Sequence, residues 1–401
     1  YSISSGSLPV SCRRAVITLL PKKGDLVDIA NWRPVSLLNT DYNIFAKVLT
    51  NRLKTVIGQI VQPDQSYGVP ERTIYDNINL IRDSLTFCNS QNSPLALLNL
   101  DQKKAFDNVD HDYLFRTMRA MGFGRSFISY VQTMYSGTQS MVKVGNSLTS
   151  PFPFEKGIRQ GCPLSGLLYS IAIEPFLHTL RAKLSDSGLL LPCTSSKSVV
   201  VSAYADDVTI FVTRDRDFEI VESVYDLYSR ASAARLNRQK TQSLWVGPWT
   251  DRKDTPLSYN WTSEGLVFLG VHLGNSNHFV QQNWAICRQK VDKCLSNWKR
   301  LSRMMSFKGR VLIANQLAAT KIFHLLATAS PPEHVLAELQ EKLVNFIFND
   351  GRHWLGREIV HQNPIRGGLG LACLQARMLT FRYKLLFLFS QTQTTTRVIV
   401  L

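Results

Sequence analysis

Two adjacent carboxylates, Asp206 and Asp207, interrupt an otherwise apolar run over residues 199–212, VVVSAYADDVTIFV. The flanks are rich in β-branched and aromatic residues. Each predicts a strand, and the acids fall where the two strands of a hairpin meet. Neighbouring negative charges at a sheet edge repel each other, and cations that neutralise them explain the arrangement most simply. Hard divalent ions with oxygen ligands suit carboxylates. A second apolar strand, Pro94-Leu95-Ala96-Leu97-Leu98-Asn99-Leu100, ends on Asp101. Carboxylates from two separate strands can converge on one pair of cations, about 3.5–4 Å apart, that stabilises the entering and leaving oxygens of a displacement. The protein then needs chiefly to position and to neutralise, as phosphoryl transfer requires.

The rest of the chain alternates strand and helix signals. Residues 13–20 predict a strand that runs into the basic turn Pro21-Lys22-Lys23-Gly24-Asp25, and residues 31–36 begin a second extended segment. Apolar residues at helical spacing predict helices over residues 40–60 and 73–89, and further helices are read over 113–122 and 125–135. Residues 139–144 followed by Gly145-Asn146 read as a hairpin. The turn Gly157-Ile158-Arg159-Gln160-Gly161-Cys162-Pro163 opens a long apolar helix over 164–184, and a helix over 217–236 follows the paired acids. Residues 241–246 predict a strand and 265–274 a short β element. Beyond 275 the pattern is helical and basic to about residue 350.

Charge narrows the choice of partner. The 401 residues carry a net charge of +16, and residues 281–401 hold 17 Lys and Arg against 6 Asp and Glu, or +11 of that total. A polyanion is the expected partner, with the C-terminal third following its backbone. The seven cysteines, Cys12, Cys88, Cys162, Cys193, Cys287, Cys294 and Cys373, are scattered and form no C-x-x-C, and the eight histidines make no zinc spacing. Core packing in a reducing compartment is expected. No signal peptide is read and no membrane association is expected: the nearest approach to an apolar span, residues 313–330, contains Asn315, Gln316, Lys321 and His324. The first residue is Tyr1, which predicts a piece of a longer protein.

In this order the motifs resemble the reverse transcriptases of LINE-type (non-long-terminal-repeat) retrotransposons. The resemblance runs from about Arg14 to about Leu385. It is carried by Ile17-Thr18-Leu19-Leu20-Pro21-Lys22 with Asn31-Trp32-Arg33-Pro34-Val35-Ser36-Leu37-Leu38, Asp101-Gln102-Lys103-Lys104-Ala105-Phe106-Asp107, Gly157-Ile158-Arg159-Gln160-Gly161-Cys162-Pro163-Leu164-Ser165 and Tyr204-Ala205-Asp206-Asp207. Leu236-Asn237-Arg238-Gln239-Lys240-Thr241, Phe268-Leu269-Gly270, Trp298 with Gly309-Arg310, and Gly367-Gly368-Leu369-Gly370-Leu371 follow. The resemblance implies an α+β right-hand polymerase. Its fingers would be residues 1–95. A palm with a small antiparallel sheet would cover 96–275, with a fingers insertion at about 116–158 and a primer-grip element at 266–274. A basic helical thumb would cover 276–370 and a truncated C-terminal connection 371–401.

The same resemblance assigns roles. Asp101 and Asp206 would hold two Mg²⁺, with Asp207 supporting the catalytic site. Phe106 would lie under the incoming sugar and exclude a 2′-hydroxyl. Lys22 and Arg33 would contact the triphosphate, Arg33 through its bidentate fork, and Gln160 with Gly161 would pack on the nascent base pair. Lys240 would be a general acid toward pyrophosphate, an assignment no stronger than a solvated lysine. Phe268, Leu269 and Gly270 would hold the primer end. Lys293, Lys299, Arg300, Arg303, Lys308 and Arg310 would follow the nucleic-acid backbone. The implied partners are an RNA template, a DNA primer and dNTPs, and the implied place of action is the nucleus. Residues 189–198 match no motif, and no endonuclease, C-terminal Cys/His segment or RNase H-like acidic set is legible. A catalytically inactive nucleic-acid-binding remnant, an intron-encoded reverse transcriptase and an RNA-dependent RNA polymerase are the rival readings.

Overall fold

The computed structural model describes residues 5–22, 24–192 and 198–391; Lys23, Cys193 and residues 392–401 of the expected C-terminal connection lie outside the described residues. The chain divides into two compact units. One combines Tyr1–Asn77 with Phe87–Thr262, the other Ile78–Thr86 with Ser263–Leu401.

The first unit carries strands β1 (Arg14–Pro21), β2 (Trp32–Leu38), β3 (Leu95–Leu100), β4 (Gln139–Val144), β5 (Ser147–Leu148), β6 (Phe152–Pro153), β7 (Val201–Tyr204), β8 (Asp207–Val212), β9 (Gln242–Val246) and β10 (Asn260–Thr262). They form two five-stranded sheets. One has the order β2-β1-β4-β5, with β6 also on β4; the other has the order β10-β9-β3-β8-β7. In the first sheet β1 and β2 are antiparallel, with Leu20 opposite Arg33, and β1 and β4 are parallel. In the second, β3 lies between β8 and β9, antiparallel to both. A central strand covered on both faces needs a mostly apolar run, and Leu95, Ala96, Leu97, Leu98 and Leu100 are all buried.

The helix Ser165–Lys183 is apolar on every side, with Leu167, Leu168, Ile171, Phe176, Leu177 and Leu180 buried, as a helix in the middle of a core must be. Behind the second sheet, Trp245 stacks on Trp261 with ring centroids 3.7 Å apart, fastening β10 to β9.

Two helices differ from the spacing prediction. The helix expected over 40–60 ends at Lys54 and resumes at Ile57–Ile60. The Thr55 hydroxyl donates to Arg52 O, competing with the helical ladder at that point. The helix expected over 217–236 stops at Ser232. Ala233 turns left-handed (φ +61°), and Leu236 leaves to bridge Gln102, just beyond the end of β3.

The second unit opens with the hairpin β11 (Gly265–Phe268) and β12 (Val271–Gly274), followed by helices that include Asn277–Ser302, Phe307–Ile313, Thr320–Leu326, Glu333–Ile347 and Leu374–Gln391. The Ser276 hydroxyl caps the first of these by accepting from Phe279 N. Among the described residues the cysteines are free, and no helix is long and apolar enough to cross a membrane.

Candidate active site

The β7–β8 hairpin closes with Tyr204 opposite Asp207, so its turn is Ala205-Asp206. Register places Val208 opposite Leu100, which brings the turn level with Asp101 at the end of β3. Asp101, Asp206 and Asp207 therefore share one field. Burial raises the Asp206 pKa, and the Asp101 charge adds to the rise while Arg33 opposes it. Burial of the carboxyl, then the charges of Asp206 and Asp101, push Asp207 up to about 6. Asp207 as a residue is solvent-exposed, so water screens part of this. The donor set is all hard oxygen, and its mutual repulsion is what a divalent cation relieves.

Among the described residues no group of three or more His, Cys, Asp or Glu is arranged to hold a metal ion.

The backbone of Asp101 is latched on both sides by a segment that follows the shortened helix. Asn237 N donates to Asp101 O at 2.8 Å, and Asp101 N donates to Thr241 Oγ1 at 3.2 Å. This latch brings Lys240, an exposed side chain in the same turn, into the neighbourhood of Asp101. Neither Asn237 nor Thr241 carries a chemical signal in the linear sequence beyond membership of a recognisable stretch.

Phe106 lies in the short helix Ala105–Asn108, half-buried, and stacks on buried Tyr169 with centroids 4.4 Å apart and planes 18° from parallel. Phe106 O accepts from Ile158 N at 2.7 Å, which fastens the Gly-rich turn beneath it. Gln160 O accepts from Ser36 N of β2 at 2.7 Å, and Gln160 Nε2 donates to Asp107 Oδ1 at 3.1 Å. Gly161 has φ +112°, and a Cβ there would stand 2.6 Å from Ser36 O, so only glycine lets the turn lie against β2. Arg33 on β2 and Lys22 just after β1 are both exposed; Arg33 acts on Asp206 and Lys22 on Asp107 through their charges. Lys22, Arg33, Phe106, Gln160, Gly161 and the three acids are thus all in one unit, as is Lys240.

The other sequence-derived residues lie in the second unit. Phe268 is buried at the end of β11, and Leu269-Gly270 form its turn with φ +45° and +85°. Two left-handed residues in a two-residue hairpin match the right-handed strand twist. A nitrogen of His324 lies 3.0 Å from Leu269 O. Lys293, Arg300, Arg303 and Lys308 are exposed, and Lys299 is paired with Asp350 at 2.6 Å. Arg310 departs from expectation. It is buried, with its guanidinium 4.2 Å from the centroid of the Phe307 ring, and so packs the helix rather than presenting charge at the surface.

The profile of the reverse transcriptase (RNA-dependent DNA polymerase) family matches residues 20–273, which include every first-unit residue above but the first strand's start. The chain belongs to the reverse transcriptase family. The chain is 44% identical over 95% of its length to the transposon TX1 uncharacterized 149 kDa protein of Xenopus laevis, of which it spans 29%. It is 24% identical over 94% of its length to the Pol polyprotein of the type-2 retrotransposable element R2DM of Drosophila melanogaster, spanning 36% of it. Its relatives are non-long-terminal-repeat retrotransposon enzymes, and it spans 29% and 36% of the length of these two. A telomerase from Candida tropicalis, solved with a TWJ fragment of telomeric RNA, superposes over 97% of this chain and 64% of its own, with TM-score 0.51 and 12% identity. The fold is that of a right-hand polymerase.

The raised acids make the stability of the chain depend on pH. Asp207 titrates near 6 when folded and near its ordinary 3.8 when unfolded. The folded state therefore binds the extra proton between those values. In EDTA the repulsion is fully felt above about pH 6 and is relieved as pH falls through it. Discounted for exposure, the relief is on the order of 1 kcal/mol. The difference in melting temperature between Asp207→Asn and the parent should favour the variant at pH 7.5 and shrink towards pH 4. A difference that stays constant across that range would mean the carboxyl titrates normally.

Proposed function

We propose that this chain extends a primer 3′-hydroxyl with dNTPs on an RNA template, at Asp101 and Asp206, with two Mg²⁺ and with Asp207 in support. The observation that carries the reading is the shared field of these three carboxylates at the meeting of β3 and the β7–β8 turn, with Arg33 opposing it at Asp206. When bound, the ions neutralise the acids and stabilise the entering and leaving oxygens. The chain's own groups do the rest. The Asn237 and Thr241 contacts hold Asp101 at its strand end. Arg33 and Lys22 offer donors to a triphosphate, and the Gly161 turn offers a flat backbone surface to a base pair. Phe106 would close the space where a 2′-hydroxyl would stand, and Lys240 would be a general acid toward pyrophosphate. In this reading residues 1–95 act as fingers, 96–275 as palm and 276–370 as thumb, with Phe268, Leu269 and Gly270 at the primer end. The nucleus is assigned as the place of action on family resemblance.

Primer extension by the purified protein on an RNA template, with dNTPs and Mg²⁺, tests this directly. Product that grows with dNTPs and fails with EDTA is the expected result; binding without extension would make the chain an inactive remnant.

Nucleic-acid binding should weaken steeply with salt, because each phosphate neutralised releases a counterion. Reversing the charges of exposed Arg300, Arg303 and Lys308 should lower the slope of log K against log salt by about 2–3 if each meets a phosphate. An unaltered slope would move the nucleic acid to another face. Arg310, being buried, is left out of this set.

A further inference from the structure

Ala205, the residue before Asp206, has φ +55°, a left-handed conformation that its Cβ disfavours. A two-residue hairpin favours a positive φ at its first turn residue, where glycine is the usual choice; alanine has to be held there against its Cβ. Three observations show what holds it. The β7 strand is the outer edge of its sheet, and the segment around Gln65 lies along that edge. Ala203 N donates to Asp64 O at 2.8 Å, and Ser66 N donates to Ala203 O at 3.0 Å, a single parallel bridge. Beyond that bridge the Gln65 side chain continues the pairing. Its Nε2 donates to Ala205 O at 3.3 Å, while its Oε1 accepts from Ala205 N at 3.0 Å and from Tyr67 N at 3.0 Å. One amide thus holds both polar backbone atoms of the left-handed residue. Gln65 is fully buried and Ala205 nearly so, so no water competes for these bonds.

The clamp is itself anchored. Arg72 donates to the carbonyls of Gly58, Val61, Gln62 and Gln65 at 2.6–3.0 Å, fixing the path of the loop. The Asp64 carboxylate accepts from Arg181 Nε at 2.6 Å. Asn77 Nδ2 donates to Ser202 Oγ and to Ala203 O, and Asn77 Oδ1 accepts from Ser66 Oγ, tying β7 to the same segment.

We propose that Gln65 is a positioning residue for the catalytic acids: its amide holds Ala205 left-handed and so sets where Asp206 and Asp207 place their carboxylates. The inference rests on the reading of Asp206 as a metal-holding group. Gln65 touches neither substrate nor ion, and acts through the turn. Outer contacts of this kind set metal affinity and rate by about 10–100-fold, while substrate contacts elsewhere are unaffected.

The test compares Gln65→Met, Ala205→Gly and the double variant with the parent and with Asp206→Asn. In Gln65→Met, kcat should fall about 10–100-fold and the Mg²⁺ concentration for half-maximal extension should rise about 10-fold, with the KM for dNTP changed by no more than about 2-fold. In nucleic-acid-free protein, the rise in melting temperature on adding Mg²⁺ should shrink in parallel. Glycine takes the left-handed conformation without a Cβ clash, so Ala205→Gly should restore most of the rate and of the Mg²⁺ response to Gln65→Met. If Gln65→Met does not fold, the double variant decides: the clamp requires it to fold and extend, and an unfolded double variant would make Gln65 general packing. A Gln65→Met protein with parental Mg²⁺ dependence, or one that Ala205→Gly does not help, would overturn the proposal. Extension that survives in Asp206→Asn would instead overturn the reading of the acids themselves.

Discussion

Asp206→Asn is expected to reduce primer extension by about a thousandfold or more, a loss of about 4 kcal/mol of transition-state stabilisation. The amide is nearly isosteric, so the β7–β8 turn keeps its shape, but one of the three charges that would hold the cations is gone. Two further results separate this from damage to the fold. Binding of a primer–template duplex should be retained, because the exposed basic side chains Lys293, Arg300, Arg303 and Lys308 lie in the other compact unit. In EDTA the variant should melt higher than the parent, because Asp101 and Asp207 lose a repelling neighbour. A variant that extends normally, or one inactive only because it has melted, would remove Asp206 from the site. The opposite signs on activity and on metal-free stability are what a group kept for chemistry at the expense of the fold should show.

Phe106→Ala and Phe106→Val are expected to relax the choice of sugar by about 100-fold in the ratio of rNTP to dNTP efficiency, with a modest loss of dNTP use. The ring is half-buried and held flat against Tyr169, so its position is set from below rather than by the nucleotide. Its removal leaves the turn in place, since that is fastened by Phe106 O to Ile158 N, a backbone contact. Some stability is lost with the stack, on the order of 1–3 kcal/mol, more for Ala than for Val. Paired kinetics with both nucleotide classes, beside a melting curve, divide the two roles. A folded variant that uses both sugars proportionally worse would reduce Phe106 to packing against Tyr169.

Much of this protein is legible in its linear sequence because local physics writes it there. The apolar runs on both sides of Asp206-Asp207 could only be strands, and acids at such a junction had to lie at a turn. The run before Asp101, apolar but for Asn99, fits a strand buried on both faces, and residues 95–100 are the centre of the sheet. The long helix after the Gly-rich turn was visible from its composition, and the order of the motifs matched a family. Register, turn closure and the burial of charges were not visible, because each depends on residues far apart in the chain. The spacing of Arg310 among other basic residues gives no sign that it lies buried under Phe307. The end of the helix at Ser232 is set by a bridge from Leu236 to Gln102, a pairing across 134 residues that helical periodicity does not encode. Gln65 carries no charge, no metal-ligand chemistry and no special spacing. Its part is decided 140 residues away, where the fold leaves both polar atoms of a left-handed alanine to be satisfied at a sheet edge. The chain's local pattern determines which elements form and which acids stand at their ends; the tertiary structure alone decides which neutral side chains hold those acids still, because a buried hydrogen bond is specified by position and not by sequence neighbours.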